Sequence, residues 1–132
     1  MSSDLEQMAI NIPFVVDEVR EAFYQYEKAL VTNDIARLDN LFFHSEETIR
    51  FGQGEDLYGY SQIKEFRKNR PSKNLMRSLK NTVITTYGTT FALASTEFTR
   101  QHTYKIGRQQ QTWVKFEHGW KIVGAHVSLM DE

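Results

Sequence analysis

Gly119-Trp120-Lys121-Ile122-Val123-Gly124-Ala125-His126-Val127-Ser128-Leu129-Met130 is the stretch that decides the architecture of this chain. It is β-prone and apolar at both parities, with Val123, Ala125, Val127 and Leu129 on one side and Ile122, Gly124 and His126 on the other. A strand covered on both faces needs two neighbouring layers; helices supply one, and a second copy of the chain is the simplest source of the other. His118-Gly119 precedes it, a two-residue link suited to a tight hairpin because glycine accepts positive φ. Working backward, β-rich segments occupy 106–117, 90–101 and 76–87, separated by a bend at Lys105-Ile106-Gly107 and a turn at Tyr87-Gly88-Thr89. The four segments predict an antiparallel meander.

The first half of the chain reads differently. From Ile12 to Val31, Val15, Val19, Phe23, Tyr26 and Leu30 recur at steps of three or four, one face of a long helix with Pro13 in its first turn. Thr32-Asn33-Asp34 breaks it and caps a shorter helix carrying Ile35, Leu38, Leu41 and Phe42. Short β-prone runs at 48–51 and 57–58 flank a turn at Gly52-Gln53-Gly54, and Ser61 is placed to cap a third helix that Pro71 stops. Helices first and a meander last predict an α+β domain with a helical layer on one sheet face.

A chain of 132 residues supports one core, here expected over 11–132 behind a flexible N-terminus at 1–10. The absence of cysteine excludes disulfides and thiolate zinc sites, and the acidic start MSSDLEQMAI has no apolar signal core, so the cytoplasm is the expected location. A net charge of −1 argues against nucleic-acid and membrane-surface partners. The charge is uneven: ten acids against three bases in residues 1–47, then thirteen bases against seven acids. Arginines 50, 67, 70, 77, 100 and 108 all lie in the later part.

Arginine placement is the main functional signal. Ile63, Phe66, Arg67 and Arg70 share one face of the third helix, so two guanidinium groups ride on a core-facing stripe. Either they snorkel to solvent or pair with Glu27, Glu55 or Glu97, or they face a partly wet cavity where a carboxylate compensates them. Arg50, between Ile49 and Phe51, is either a surface residue or a directional pocket group; Tyr26 is a core tyrosine or a pocket phenol. His126 and Ser128 lie among small residues of the last strand, and a structural histidine competes with a cavity-facing one. Gln109 and Gln111 share a strand face with Trp113, either exposed or suited to a urea or amide group. The histidines at 44, 102, 118 and 126 have no paired metal spacing, and neither a dinucleotide fingerprint nor a G-x-S-x-G elbow is present. Catalysis, if any, is expected to need no metal and no cofactor.

The closing strand GWKIVGAHVS (119–128) resembles that of the SnoaL-like, or nuclear transport factor 2-like, superfamily. AFYQYEKALVTND (22–34), TIRFGQGEDLYGY (48–60), FRKNRP (66–71), TVITTYG (82–88), GRQQQTWVKF (107–116) and AHVSLM (125–130) together resemble the AtzH-like family, which includes the oxalurate-catabolism protein HpxZ. The resemblance spans about Asn11 to Met130 and implies a strongly curved sheet wrapped by three helices into a cone, commonly dimeric. It also implies a link to amidase systems that break down nitrogen-rich compounds, with AtzH proposed to convert a dicarboxylated urea to allophanate. The family's proposed catalytic tyrosine and arginine match Tyr26 and Arg50; Phe51 stands where the family often has tyrosine. The resulting expectation is a metal-free amidohydrolase acting on a small carboxylated urea or ureido acid, with Arg67, Arg70, Gln111, His126 and Ser128 around the substrate. The alternatives are a non-catalytic binding or accessory subunit of an amidase, and a dimeric scaffold with a vestigial cavity.

Overall fold

The computed structural model describes residues 8–131; of the N-terminal segment expected at 1–10, residues 1–7 lie outside the described residues. Helix α1 runs Pro13–Val31, α2 Ile35–Leu41 and α3 Tyr60–Asn69. Strands are β1 Ile49–Phe51, β2 Asp56–Tyr58, β3 Ser78–Tyr87, β4 Phe91–Thr99, β5 Ile106–Phe116 and β6 Gly119–Met130. They form one open six-stranded sheet in the order β2-β1-β6-β5-β4-β3. β3 to β6 make the antiparallel meander, whereas β1 joins β6 in parallel, Arg50 opposite Ala125.

α1 forms because its apolar period buries Val15, Val19, Phe23, Tyr26 and Leu30 along one stripe. It ends where Thr32 Oγ1 donates back to the Lys28 carbonyl at 2.6 Å and Asn33 takes φ 54°. The Asp34 side chain then caps α2, accepting from Arg37 N at 3.1 Å. Phe42 leaves the helix and joins Ile122 in an isolated parallel bridge, fastening the helical hairpin to β6.

Three local expectations need correction. Ser61 does not cap α3: Gly59, at φ 91°, occupies that position, and the Gln62 side chain accepts from Tyr58 N at 2.8 Å. The left-handed turn open to glycine starts the helix two residues early. Between β4 and β5 the link is 100–105, with Ile106 already in the strand.

The third correction concerns β6. Thr112 pairs with Gly124 and Trp113 with Ile122, so Val123 is an extra residue and the alternation reverses across it. Ile122 therefore lies inward together with Ala125 and Val127. His126 and Ser128 fall on the outer face, in a surface hollow with Arg108 and Gln110. The core lies between the inner sheet face and the helices, with Val15, Val19, Phe23, Leu38, Ile63, Trp113 and Ile122 fully enclosed.

Candidate functional site

Past Phe23 the inward stripe of α1 carries Tyr26 together with Ala29 and Leu30, with Glu27 at its edge, and the inward face of β5 below Trp113 turns polar at Gln111 and Gln109. Between them lies a cavity of about 320 Å³ bordered by Tyr26, Arg50, Arg70, Arg77, Arg100 and Gln109, with Val127 at its side. Both residues of the expected catalytic pair, Tyr26 and Arg50, line this one space.

Arg67 stands behind Tyr26. It is 1% exposed, donates Nη2 to the Tyr26 hydroxyl at 2.8 Å and lies over the Phe42 ring at 5.4 Å. Burial alone would raise the Tyr26 phenol pKa, but the charges of Arg67, Arg50 and Arg77 and the Arg67 hydrogen bond outweigh it and hold the phenol below its usual value. Arg50 projects from β1 over the Phe66 ring and donates Nη1 to Glu55 Oε2 at 2.7 Å. Glu55 can fold back because residue 52 is glycine; a Cβ there would overlap the Glu55 carboxylate. Arg70, just past the end of α3, donates to Asn33 Oδ1 at 3.4 Å, and burial followed by repulsion from Arg67 pushes its pKa down to about 10.

Two participants were not expected in this place. Arg77, immediately before β3, makes a bidentate pair with Glu27 at 2.9 and 2.6 Å and also donates to Gln109 Oε1 at 2.9 Å. Arg100, just past β4, lies over the Phe98 ring at 4.8 Å. Glu27 was legible as the residue four past Phe23, on the edge of the buried stripe. Arg77 and Arg100 lie at the margins of the β-rich segments expected at 76–87 and 90–101, but the strands are shorter, Ser78–Tyr87 and Phe91–Thr99, and leave both arginines in irregular chain.

The glutamines are oriented by their neighbours. Gln109 Oε1 is taken by Arg77 and Gln111 Oε1 by Trp113 Nε1 at 3.1 Å; both neighbours are donors, so each amide nitrogen is turned away from them. Gln109 Nε2, Gln111 Nε2, Arg50 Nε, Arg67 Nε and Nη1, Arg70 Nε and Arg100 Nε are all buried without a hydrogen-bond partner. Every one is a donor. Arg50, Arg70, Arg100 and Gln109 line the cavity, whereas Arg67 and Gln111 lie outside its lining; Glu55 is the carboxylate of that lining, Glu27 pairs with Arg77 beside it, and Asp39, whose Oδ1 is itself buried without a partner, lies in the field of Arg67. Within the lining the unmet demand is for acceptors and negative charge.

The sheet does not bring His126 and Ser128 into this group, since the bulge at Val123 turns both to the opposite face. Phe51 also points outward, edge-on to Tyr58 and His126, so the hydroxyl a tyrosine would carry there is not missing from the cavity.

Among solved structures, the chain is similar to a protein of unknown function from Pectobacterium atrosepticum SCRI1043, with 57% identity, TM-score 0.92 and 99% of each chain covered. It is similar to a cystatin-like fold protein from Burkholderia xenovorans LB400 at 46% identity and TM-score 0.91, covering 95% of this chain and 98% of that one. A nuclear transport factor 2-like superfamily protein from Salmonella enterica serovar Typhimurium LT2 matches at 28% identity and TM-score 0.73, over 90% and 93%. No curated protein matches. The AtzH-like family profile matches residues 8–132, and the chain belongs to the AtzH-like family.

Proposed function

We propose that this protein binds a small carboxylate-bearing urea or ureido acid in the arginine cavity and hydrolyses it without metal or cofactor. The observation that supports it is that four residues of the cavity lining, Arg50, Arg70, Arg100 and Gln109, each keep a buried N–H donor without a partner among the described residues, while no residue of that lining keeps a buried acceptor unpartnered. A planar ligand rich in carboxylate and carbonyl oxygens meets that demand, and binding it removes the desolvation penalty the guanidinium groups carry in the free protein.

For 1,3-dicarboxyurea, the substrate class suggested by the family, one water is consumed and the bond between a urea nitrogen and its terminal carboxylate breaks. The products are allophanate and bicarbonate. Arg50 and Arg70 hold the carboxylate that stays and polarise the central carbonyl, stabilising negative charge as it develops. Tyr26 supplies the proton to the departing nitrogen; its lowered pKa, with Arg67 stabilising the phenolate left behind, suits it to that role. Glu55 fixes Arg50.

The decisive experiment follows 1,3-dicarboxyurea by carbon NMR with purified protein. Allophanate and bicarbonate should appear faster than in buffer, and Arg50→Ala should abolish the acceleration while the chain stays folded. Acceleration that survives Arg50→Ala removes this residue from the mechanism. A second reading rests on the absence of serine or threonine from the cavity lining: a non-catalytic binding or accessory subunit of an amidase. Tight binding without turnover, or co-purification with an amidase, selects it. Oxalurate-like ligands, a cytoplasmic setting and a homodimer packed on the outer sheet face, where Val83 and Phe91 are exposed, complete the proposal. Among the described residues no helix is long and apolar enough to cross a membrane.

A further inference from the structure

Asn74, Leu75, Arg77 and Arg100 border two cavities at once. On one side is the chamber of Tyr26 and Arg50; on the other is an outer chamber of about 560 Å³ between the 72–78 segment and residues 99–102. The dividing wall is irregular chain between α3 and β3, where Asn74 takes φ 60°. Leu75 is only 9% exposed, although its neighbour Met76 is 69% exposed. A single leucine tucked inward from an exposed segment is the apolar part of a partition between two polar spaces.

The outer chamber has no carboxylate in its lining. Ser72, Ser78, Thr99 and His102 border it with the two arginines. Arg77 is compensated by Glu27 and Gln109. Arg100 is compensated less: no described residue forms an ion pair with it, its Nε is buried without a partner, and Glu27 offsets only at a distance the burial and the repulsion from Arg77 that act on it. A half-buried guanidinium beside a second arginine is unfavourable until an anion arrives.

We propose that the two chambers are one ligand channel, that Arg100 organises a second carboxylate position in the outer chamber, and that Leu75 sets how long a diacid can be and still reach both positions. This rests on the carboxylate-binding role of the inner chamber given above. The two carboxylates that 1,3-dicarboxyurea already carries are thereby given separate places, one end among Arg50 and Arg70 and the other at Arg100.

The test is a nitrogen-resolved NMR titration of the arginine Nε–H groups, using acetate and the linear diacids from malonate to suberate. Acetate should move the Arg50 signal, and the best diacid should move those of Arg50 and Arg100 together. Arg100→Gln should weaken that diacid about tenfold, the worth of one charge-assisted contact, and should weaken acetate by less than it weakens the diacid. Leu75→Ala should shift the preferred diacid to a longer one. The proposal is overturned if no diacid moves Arg100, if Arg100→Gln weakens acetate as much as diacids, or if Leu75→Ala leaves the length preference unchanged. If acetate and every diacid leave Arg50 unmoved in the unaltered protein, the inner-chamber role falls as well, which separates the two failures.

Discussion

α1 and β5 each run from a dry end of the interior to a wet one. At the dry end Val15, Val19 and Phe23 meet Trp113 and Ile122 in one apolar cluster. At the wet end Tyr26 and Glu27 join the helical stripe, which Ala29 and Leu30 keep partly apolar, and the strand face continues as Gln111 and Gln109. The first region is closed by volume. The second is held by directional bonds between distant segments, Tyr26 to Arg67 and Glu27 through Arg77 to Gln109, and it keeps a cavity. The contrast shows a division of labour: apolar packing supplies the stability, and this lets the other half hold guanidinium charge that opposes folding.

The largest expected effect breaks the dry half alone. Phe23→Ala removes a fully enclosed ring and should lower unfolding free energy in urea by about 3–5 kcal/mol. The folded fraction should retain its carboxylate affinity. If affinity falls in step with stability, the two halves are not separable.

Glu27→Gln strikes the wet half. It leaves Arg77, whose side chain is 2% exposed, without its carboxylate, and should cost about 3 kcal/mol. Added acetate should restore part of that loss by supplying the missing negative charge, and should restore nothing in Phe23→Ala. Equal responses of the two variants to acetate would erase the distinction between them.

Tyr26 sharpens the comparison through pH. Its pKa is lowered in the folded state, because the three arginines and the Arg67 hydrogen bond overcome burial, so folding favours the phenolate. Between that lowered value and the ordinary tyrosine value of about 10, the unfolded chain binds the extra proton, and stability rises with pH. The stability of the wild type relative to Tyr26→Phe should therefore be flat at lower pH and grow as pH climbs through this window. A difference independent of pH up to 10 would show that the arginine field does not reach the phenol.

The helical stripe, dry end and wet end alike, was legible in the sequence because burial writes a period, and the 3.6-residue recurrence of Val15, Val19, Phe23, Tyr26 and Leu30 is borne out residue by residue. The rest of the wet half was legible only where a polar residue interrupted such a period. Arg67 on the α3 stripe and Gln109 and Gln111 beside Trp113 were found in that way, and all three are buried. Arg77 and Arg100 sit in irregular chain, where position is set by tertiary contacts that no spacing records. Arg50 and Tyr26 were singled out as a pair only by the family's motif, since neither a three-residue strand nor a core tyrosine announces a site.

His126 provides the smallest expected effect and the cleanest control. The small residues beside it in β6 placed it among the expected pocket residues, and the inserted residue at Val123 turns it to the other face. On the outer face it is exposed and touches Phe51 edge-on at 6.0 Å between ring centres. His126→Ala should change stability by no more than about 0.5 kcal/mol, as an exposed substitution away from special features does. It should leave carboxylate binding, and any turnover of 1,3-dicarboxyurea, at wild-type levels. A loss of binding in His126→Ala would mean that the two faces of the sheet communicate through β6. In that case the outer hollow with Arg108 and Ser128 would belong to the working site, and the division between a packed region and a charged cavity would have to be redrawn across the sheet rather than along it.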